Sequence, residues 1–508
     1  MEIPWEPALS FAMTFSPPAP RTLRHASPTL LLLAFAAMAV LVRWVVLAVT
    51  GITFEDSLIS LRYAENLASG HGMVYNPGER VFGASTPLYV LFLAGLTRLG
   101  MPALGVAKAL AALSDGVTLY LWGRWLFRVT GGARAPLWFS LLFGLSPVIV
   151  LVSVSGMETS FALLLLSLAV LWTMEEREGT PWQRWRVGLV LGLLMLVRPD
   201  GAIAAVVLLG HFWWRTRRLP WRAALLATAI LLPWLATAIW YYGTPIPNSI
   251  PAKAAAYNLH RPSALPNLWA TLALMAPIRE PWGRLLTNAL LLPFLVLGVT
   301  RAWRTPALRP LALLLGAWWA YLVLPRTMLF PWYYPLLTLP VYVLSALGFG
   351  ATQANHTAGY VDATPAAERS LRPRRSGAVA ALLTVGLLGY LHHEGQAAQR
   401  VQHAELAVRK QIGLWLRENT RPHVRVALEP IGYVGYYSRR RILDEVGLVS
   451  PEMIPLNREG AGWFGRMLKR HRPDYVVERP TYLIRNETLL TGVPMFGTEA
   501  EREAFLAE

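Results

Sequence analysis

The feature that most constrains this chain is a succession of long apolar runs separated by short breaks that carry arginine. The first run, from Pro28 to Thr50, has the length of about 20 residues that a membrane-spanning helix needs. Hydrophobic residues make up 54% of the 508-residue sequence and charged residues only 15%, which is little charge for a soluble surface. The sequence therefore predicts a polytopic α-helical membrane protein.

The net charge of +17 is carried almost entirely by arginine, and the arginines gather at the ends of the apolar runs. This placement is what the positive-inside rule predicts for cytoplasmic loops. We therefore interpret the charge as a topology signal and expect a membrane, not a nucleic acid, as the partner of the basic residues. The absence of cysteine excludes disulfides, thiolate metal sites and a cysteine nucleophile.

The arginine clusters predict about eleven spans, with the N-terminus inside. We divide the chain into a cytoplasmic tail (1–28), a transmembrane module (29–391) and an outer C-terminal domain (392–508). The module carries outer loops at 51–86 and 241–283, and the short run Thr86–Leu99 is interpreted as a re-entrant or interfacial helix. The predicted spans are Pro28–Thr50, Leu104–Phe127, Ala135–Val154, Thr159–Met174, the pair Val187–Val197 and Gly201–Trp214 (broken at Arg198-Pro199-Asp200), Ala223–Trp240, Leu285–Val299, Leu311–Leu324, Pro331–Gly350 and Gly377–Leu391.

After His392 the apolar runs stop and the pattern becomes that of a small α/β domain. Alternating residues predict strands at His423–Leu428, Arg441–Asp444 and Tyr475–Val477. Helical spacing predicts an amphipathic helix over Gln396–Leu416 and a second helix over Trp463–Arg470.

The first outer loop combines an amphipathic helix, predicted over Asp56–Ala68, with two acids at its start, Glu55 and Asp56. A carboxylate at a membrane surface can take a proton from an attacking hydroxyl group, and two adjacent acids can hold a divalent cation. The alternative is structural: Asp56 is then the N-cap of the helix, and Glu55 is solvated.

Positive charge on the outer side is not required by topology, so Lys253 and Arg326 are candidate phosphate ligands, with Arg62 and Arg80 in reserve. Interfacial anchoring is the alternative for Lys253. Arg198 and Asp200 lie near or inside the hydrocarbon, where charges have either a function or a partner, and a helix-breaking salt bridge is their structural explanation.

Five segments in order along the chain resemble markers of one family of bacterial membrane enzymes. They are FEDSLISLRYAENLASGHGMVYNPGERVFGASTPL, SGMET at 155–159, RPDG at 198–201, YYGTPIPNSIPAK and GYVGYYSRRRILDEVGL. The chain resembles polyprenyl-phosphate-sugar-dependent glycosyltransferases of the GT-C fold, and most closely the branch with the mycobacterial terminal β-(1→2)-arabinofuranosyltransferase. The acidic position that usually carries two acids in that family is Glu55-Asp56 here.

The resemblance implies an inverting sugar transfer at the outer face of a bacterial cytoplasmic (inner) membrane. The donor would be a polyprenyl-phosphate sugar, with arabinofuranose as the candidate sugar, and the acceptor a glycan, lipid or protein of the cell envelope. Asp56 maps to the catalytic base and Glu55 to an assisting acid, and a divalent cation at this pair is the one candidate cofactor. Candidate substrate-binding residues are Tyr241, Tyr242, Asn248, Glu158, Tyr333 and Tyr334.

Two other classes compete with this interpretation. A transporter or flippase of lipid-linked sugars would carry paired structural repeats and a site at the middle of the membrane, and no repeat stands out in the sequence. Transfer of another lipid-borne group, such as phosphoethanolamine, would need a Ser or Thr nucleophile beside zinc ligands.

Glu158, at the start of an outer helix, can equally be a plain helix cap.

Overall fold

The computed structural model describes residues 28–175, 181–258, 265–272, 281–325, 328–351, 374–486 and 493–507. Helices dominate the fold, because long apolar runs satisfy their backbone polar groups internally only as helices. The membrane module and its polar loops contain α1 (Pro28–Thr50), α2 (Glu55–Ala68), α3 (Pro87–Arg98), α4 (Ala103–Thr130), α5 (Arg134–Leu145), α6 (Pro147–Ser153), α7 (Thr159–Met174), α8 (Pro181–Val197), α9 (Gly201–Thr216), α10 (Trp221–Tyr242), α11 (Ser249–Lys253), α12 (Leu265–Leu272), α13 (Pro281–Arg304), α14 (Arg309–Val323), α15 (Tyr334–Ala351) and α16 (Arg374–Ala404).

Within the described ranges, five helical segments are long and apolar enough to cross a membrane, or six if the bent pair α5–α6 forms one span. They are Pro28–Thr50, Ala103–Thr130, Trp221–Tyr242, Pro306–Val323 and Pro331–Ala351. The helices α3 and α7 and the segment Trp185–Val197 are apolar but shorter. The polytopic architecture is confirmed, and the number of eleven spans stays a prediction.

The composition predicts one straight helix over Ala135–Val154. The structure has two helices there, α5 and α6, which meet at an angle of 55°. The break falls at Ser146-Pro147, because proline lacks the N–H group and its ring clashes with the preceding turn. Carbonyl oxygens at the end of α5 are satisfied by Arg43 of α1, which donates to Phe143 (3.1 Å) and Gly144 (2.7 Å). Arg43 therefore acts as a cap on a broken helix inside the module.

Helices α13 and α15 approach so closely that two positions require glycine. A Cβ atom at Gly298 would collide with the carbonyl group of Leu344, and one at Gly348 would collide with that of Phe294. Small residues of this kind let helix backbones pack directly in membranes. The contact holds α15 in the main core, which it shares with α4, α5, α7 and α8.

The C-terminal region is a small α/β unit built on three parallel strands in the order β2-β1-β3. The strands β1 (Arg425–Leu428), β2 (Arg441–Asp444) and β3 (Tyr475–Val477) confirm the three predicted strands to within two residues. The helices of this unit are α17 (Lys410–Asn419), α18 (Gly432–Ser438), α19 (Met453–Glu459), α20 (Trp463–His471), α21 (Pro480–Arg485) and α22 (Glu499–Ala507).

The predicted domain boundary at residues 391–392 falls inside a continuous helix. Helix α16 runs from Arg374 to Ala404 and continues through a π-helical turn, Glu405–Arg409, into α17. The C-terminal unit also shares a hydrophobic core with the first polar loop (51–86): Leu58 and Leu61 pack in one cluster with Val426. The unit is therefore fixed to the loop that carries the acidic pair.

Candidate active site

The start of α2 is held by groups from three distant parts of the chain. Lys108 of α4 donates to the carbonyl oxygen of Ile52 (2.8 Å) and the hydroxyl group of Thr53 (2.9 Å). The amide of Thr53 donates to Gln402 Oε1 (2.9 Å), and the amide of Phe54 donates to the carbonyl oxygen of Ser155 (3.1 Å). These bonds fix the backbone that leads into Glu55 and Asp56.

Asp56 is not the N-cap of this helix. Helix α2 begins at Glu55, so Asp56 is its second residue, and the N-cap position is Phe54, without a side-chain capping bond. The structural alternative considered for Asp56 is therefore wrong. A carboxylate in the first turn is still stabilised by the helix dipole.

Asp56 lines a cavity of about 590 Å³ between the first polar loop and the membrane helices. Polar and aromatic groups on its wall include Ser60, Ser85, Thr86, Ser249, Tyr321, Trp332 and Tyr333, and Leu448 of the C-terminal unit contributes as well. The charged side chains on the wall are Asp56, Glu158, Arg198, Asp200 and Lys253. A cavity of this size with a few converging charged groups is typical of a small-molecule site.

Lys253 forms an ion pair with Asp56: its Nζ atom lies 3.4 Å from Asp56 Oδ2. Both side chains keep some access to the cavity, with 24% and 28% of their surface exposed. The ammonium group also lies 5.0 Å from the ring centre of Phe330 and 5.7 Å from that of Trp332. Burial lowers the pKa of Lys253, but Tyr333 and Asp56 outweigh burial and raise the pKa above its ordinary value. Within the described part of the chain, Lys253 is therefore a cation with one carboxylate partner, at the long hydrogen-bond distance of 3.4 Å.

Arg198 differs from Lys253 because it is paired twice. Its guanidinium group donates to Glu158 at 2.9 Å and to both oxygens of Asp200 at 2.9 and 3.0 Å. The salt bridge to Asp200 that we considered as a structural explanation is present, and the triad also forms one wall of the cavity. With one cation and two carboxylates, this wall carries a net negative charge.

Glu55 turns away from the cavity towards the C-terminal unit. Its Oε1 atom accepts the backbone N–H group of Tyr433 (3.0 Å), and its Oε2 atom is buried without a partner among the described residues. Burial raises the pKa of Glu55 to about 8. Because Glu55 and Asp56 point in different directions, their geometry does not support a shared divalent cation. Among the residues that the structure describes, no group of three or more His, Asp or Glu side chains is placed to hold a metal ion.

The two reserve cations do not reach the cavity wall. Arg62 is only 2% exposed and lies 4.1 Å from the ring centre of Tyr75. Its donors are used by the carbonyl oxygens of Tyr75, Gly435 and Arg440, so it joins the first loop to the C-terminal unit. Arg80 lies over the ring of Tyr241, 4.8 Å from its centre. Arg326 is outside the described residues.

Some of the predicted substrate-binding residues line the cavity, and the others do not. Glu158 and Tyr333 line the cavity. Tyr242 donates to the carbonyl oxygen of Met73 (2.6 Å), Asn248 donates to that of Leu448 (3.1 Å), and Tyr334 is buried in the membrane core. These three residues shape the loops and the core and are absent from the cavity wall, as is Tyr241.

The cavity wall also includes groups that sequence reasoning did not propose as ligands. Tyr321 and Trp332 come from separate apolar runs, and Ser249 follows the predicted site residue Asn248. The sequence contains one signal for this part of the cavity wall, the charged Arg198-Pro199-Asp200 break between two apolar helices.

With this geometry, the architecture matches that of a known class of membrane proteins. The structure of ArnT from Cupriavidus metallidurans, bound to undecaprenyl phosphate, superposes with a TM-score of 0.58 at 14% sequence identity, over 84% of this chain and 89% of that one. The apo form of the same protein gives a TM-score of 0.56 at 13% identity over the same shares. The chain therefore has the ArnT fold.

The chain is also similar in sequence to one particular protein. Over 255 residues the chain is 30% identical to the terminal β-(1→2)-arabinofuranosyltransferase of Mycobacterium tuberculosis (strain ATCC 25618 / H37Rv). The match covers 44% of this chain and 40% of that protein, so the chain matches less than half the length of this relative. Residues 396–504 match the family described as Domain of unknown function (DUF8728). The matches to ArnT and to the arabinofuranosyltransferase confirm the resemblance to GT-C glycosyltransferases.

Proposed function

We propose that this protein is an integral-membrane inverting glycosyltransferase. It takes a sugar from a polyprenyl-phosphate donor and transfers it to an acceptor of the cell envelope at the outer face of the cytoplasmic membrane. Arabinofuranose is the candidate sugar, because the curated relative is named for it. The observation that carries the proposal is the placement of Asp56 and Lys253 3.4 Å apart on the wall of one cavity, in a fold whose relative binds undecaprenyl phosphate.

In this mechanism Asp56 is the general base. As the acceptor oxygen forms its bond to the anomeric carbon, the acceptor proton passes to the Asp56 carboxylate. The bond between the anomeric carbon and the phosphate oxygen breaks on the opposite side, and the polyprenyl phosphate leaves with the electron pair. Lys253 offsets the charge that develops on the phosphate, in a partly dry cavity where such electrostatic stabilisation is strong.

The Arg198 triad has a different role in this proposal. Because Arg198 is neutralised by Glu158 and Asp200, its charge is not available to a phosphate. The carboxylates of the triad instead present acceptors to sugar hydroxyl groups, while Arg198 keeps them oriented. Tyr333 and Trp332 offer flat faces against which a sugar ring can lie.

The test uses the purified protein and a panel of polyprenyl-phosphate sugars, with release of polyprenyl phosphate as the readout. We expect turnover with at least one donor and a loss of about 10²–10⁴-fold in Asp56→Asn, which keeps the shape of the side chain but not its basicity. Arg80→Gln, in the same loop but off the cavity wall, is the matched control and should turn over normally. Near-normal turnover of Asp56→Asn would remove Asp56 from the mechanism. Movement of the donor lipid across the membrane without transfer would favour the flippase alternative.

A further inference from the structure

Six arginines lie at the end of α9, in the last turn of α13 and at the start of α14, the ends of these helices remote from the cavity. We call this cluster the arginine seam. It consists of Arg215, Arg217 and Arg218 at the end of α9, Arg301 and Arg304 in the last turn of α13, and Arg309 at the start of α14. Three exposed tryptophans, Trp213, Trp214 and Trp303, stand among them.

One member of the seam is held in a defined position. Arg309 Nε donates to the carbonyl oxygen of Trp303 (2.9 Å), and its guanidinium carbon lies 5.2 Å from the ring centre of Trp214. Arg309 thereby connects all three helices. Its two terminal nitrogens have no hydrogen-bond partner within the described ranges, so their N–H groups are free to donate to a ligand.

The seam has no counter-charge in the part of the chain that the structure describes. None of its six arginines forms an ion pair there, whereas Arg128 pairs with Glu175 at 2.8 Å. A topology signal requires positive charge, but it does not require an ordered guanidinium group with open donors beside a tryptophan ring. Cations gathered at the ends of adjoining helices repel one another, so an anion that binds there would stabilise the end of the bundle.

The position of the seam indicates what kind of anion it meets. Helix α9 begins at the cavity, next to Asp200, and Arg215 lies about 22 Å further along the helix, at 1.5 Å per residue. This length places the seam at the opposite edge of the membrane from the cavity. Tryptophan is typical of the headgroup layer, and basic sites between spanning helices bind anionic headgroups.

We propose that the arginine seam is a binding site for the phosphate of an anionic phospholipid headgroup, separate from the cavity. Arg309 binds the phosphate through its two terminal nitrogens, Arg215 adds charge from α9, and Trp214 and Trp303 rest at the level of the glycerol. The site is independent of the reaction in the cavity.

The test uses the full-length protein in nanodiscs of phosphatidylcholine, alone or mixed with phosphatidylglycerol. Native mass spectrometry measures the lipids that stay bound, and the thermal unfolding midpoint measures stabilisation. We expect phosphatidylglycerol to be retained in preference to phosphatidylcholine and to raise the midpoint. In Arg215→Gln/Arg309→Gln the preference should fall about tenfold or more, since each basic residue adds about 1 kcal/mol.

Two further variants keep the result interpretable. Arg124→Gln/Arg134→Gln removes two positive charges outside the seam and should retain the lipid as the wild type does. Arg215→Gln/Arg218→Gln removes exposed charges but leaves the contacts of Arg309 intact, so it reports on binding even if the first variant fails to fold. Equal lipid preference in seam and control variants, or equal stabilisation by inorganic phosphate alone, would overturn the proposal.

Discussion

Two neighbouring acids in the first polar loop have opposite surroundings, and this contrast sets their expected roles. Asp56 faces the cavity beside Lys253, whereas Glu55 is buried against the backbone of α18. The sequence could place both acids at the start of a helix. It could not separate them, because the partner of Glu55, Tyr433, lies 378 residues away.

Lys253 should act through donor binding. Lys253→Ala removes the cation expected to meet the phosphate, and a hydrogen bond to a charged group contributes about 1.5–3 kcal/mol, so we expect the apparent KM for the donor to rise about 10–100-fold. Lys253→Arg keeps the charge and should recover part of this loss. Steady-state kinetics with varied donor concentration would show the effect, and an unchanged KM in Lys253→Ala would rule out the phosphate contact.

Glu55 should make stability depend on pH. Its pKa is raised by burial from the ordinary 4.5 to about 8, so between these pH values the folded protein keeps a proton that the unfolded chain releases. The free energy of unfolding therefore falls as the pH rises through this window. Burial also raises the pKa of Asp444 to about 6 and that of Glu429 to about 7, which gives a background slope of the same sign.

Glu55→Gln isolates this contribution, because the amide oxygen can still accept the N–H group of Tyr433. We expect thermal unfolding midpoints near those of the wild type below pH 5 and higher than those of the wild type above pH 8. Glu418→Gln, which changes an exposed acid on α17, should follow the wild type at every pH. A midpoint difference that does not grow with pH would contradict the prediction.

At the scale of elements, a buried ion pair joins α1 to α4. Arg43 Nε lies 2.9 Å from Asp115 Oδ2, and neither side chain is exposed. Asp115→Ala would leave the Arg43 charge buried without its partner, which typically costs about 3–5 kcal/mol. Breaking the exposed pair Arg128–Glu175 by Glu175→Ala should cost less than about 1 kcal/mol.

The two variants can be compared by their thermal unfolding midpoints in detergent. Because Arg43 also caps the end of α5, we expect Asp115→Ala to lower the unfolding midpoint far more than Glu175→Ala. Replacing both partners, as in Arg43→Met/Asp115→Leu, should recover part of the loss. Equal midpoints for the two single variants would show that the pair does not stabilise the bundle.

How well an element could be predicted depends on how local its cause is. The strands β1 to β3 follow from alternating apolar residues and agree with prediction to within two residues. The break between α5 and α6 has a local cause in Pro147, but the capping by Arg43 that stabilises it comes from another helix. Arg62 resembles a phosphate ligand in the sequence, because its carbonyl partners in the C-terminal unit appear only in the fold.

At the scale of the whole molecule, the shared core of the first loop and the C-terminal unit requires both to lie on one face of the membrane. The native sequence lacks cysteine, so single cysteines can report on topology without background. A membrane-impermeant maleimide should label His71→Cys and Glu418→Cys in intact cells, and Arg217→Cys only after permeabilisation. Labelling of Arg217→Cys alone in intact cells would reverse the proposed orientation.

The overall architecture was predictable because apolar length and arginine placement act over whole segments. The cavity was not, because its wall draws on eight separate stretches of chain, from Asp56 to Leu448. Asp56, Lys253, Glu158 and Tyr333 were found as individual candidates, and only the packing of α11 against the first loop brings Lys253 to Asp56.

The contact between Glu55 and α18 has a consequence for biosynthesis. Gly432 lies so close that a Cβ atom there would collide with the carbonyl group of Glu55, which precedes the catalytic candidate by one residue. During translation, the first loop emerges more than 300 residues before this partner. We therefore expect a chain that ends before α18 to lack activity even if its membrane helices fold, because α18 helps to hold the backbone at Glu55 and Asp56 in place.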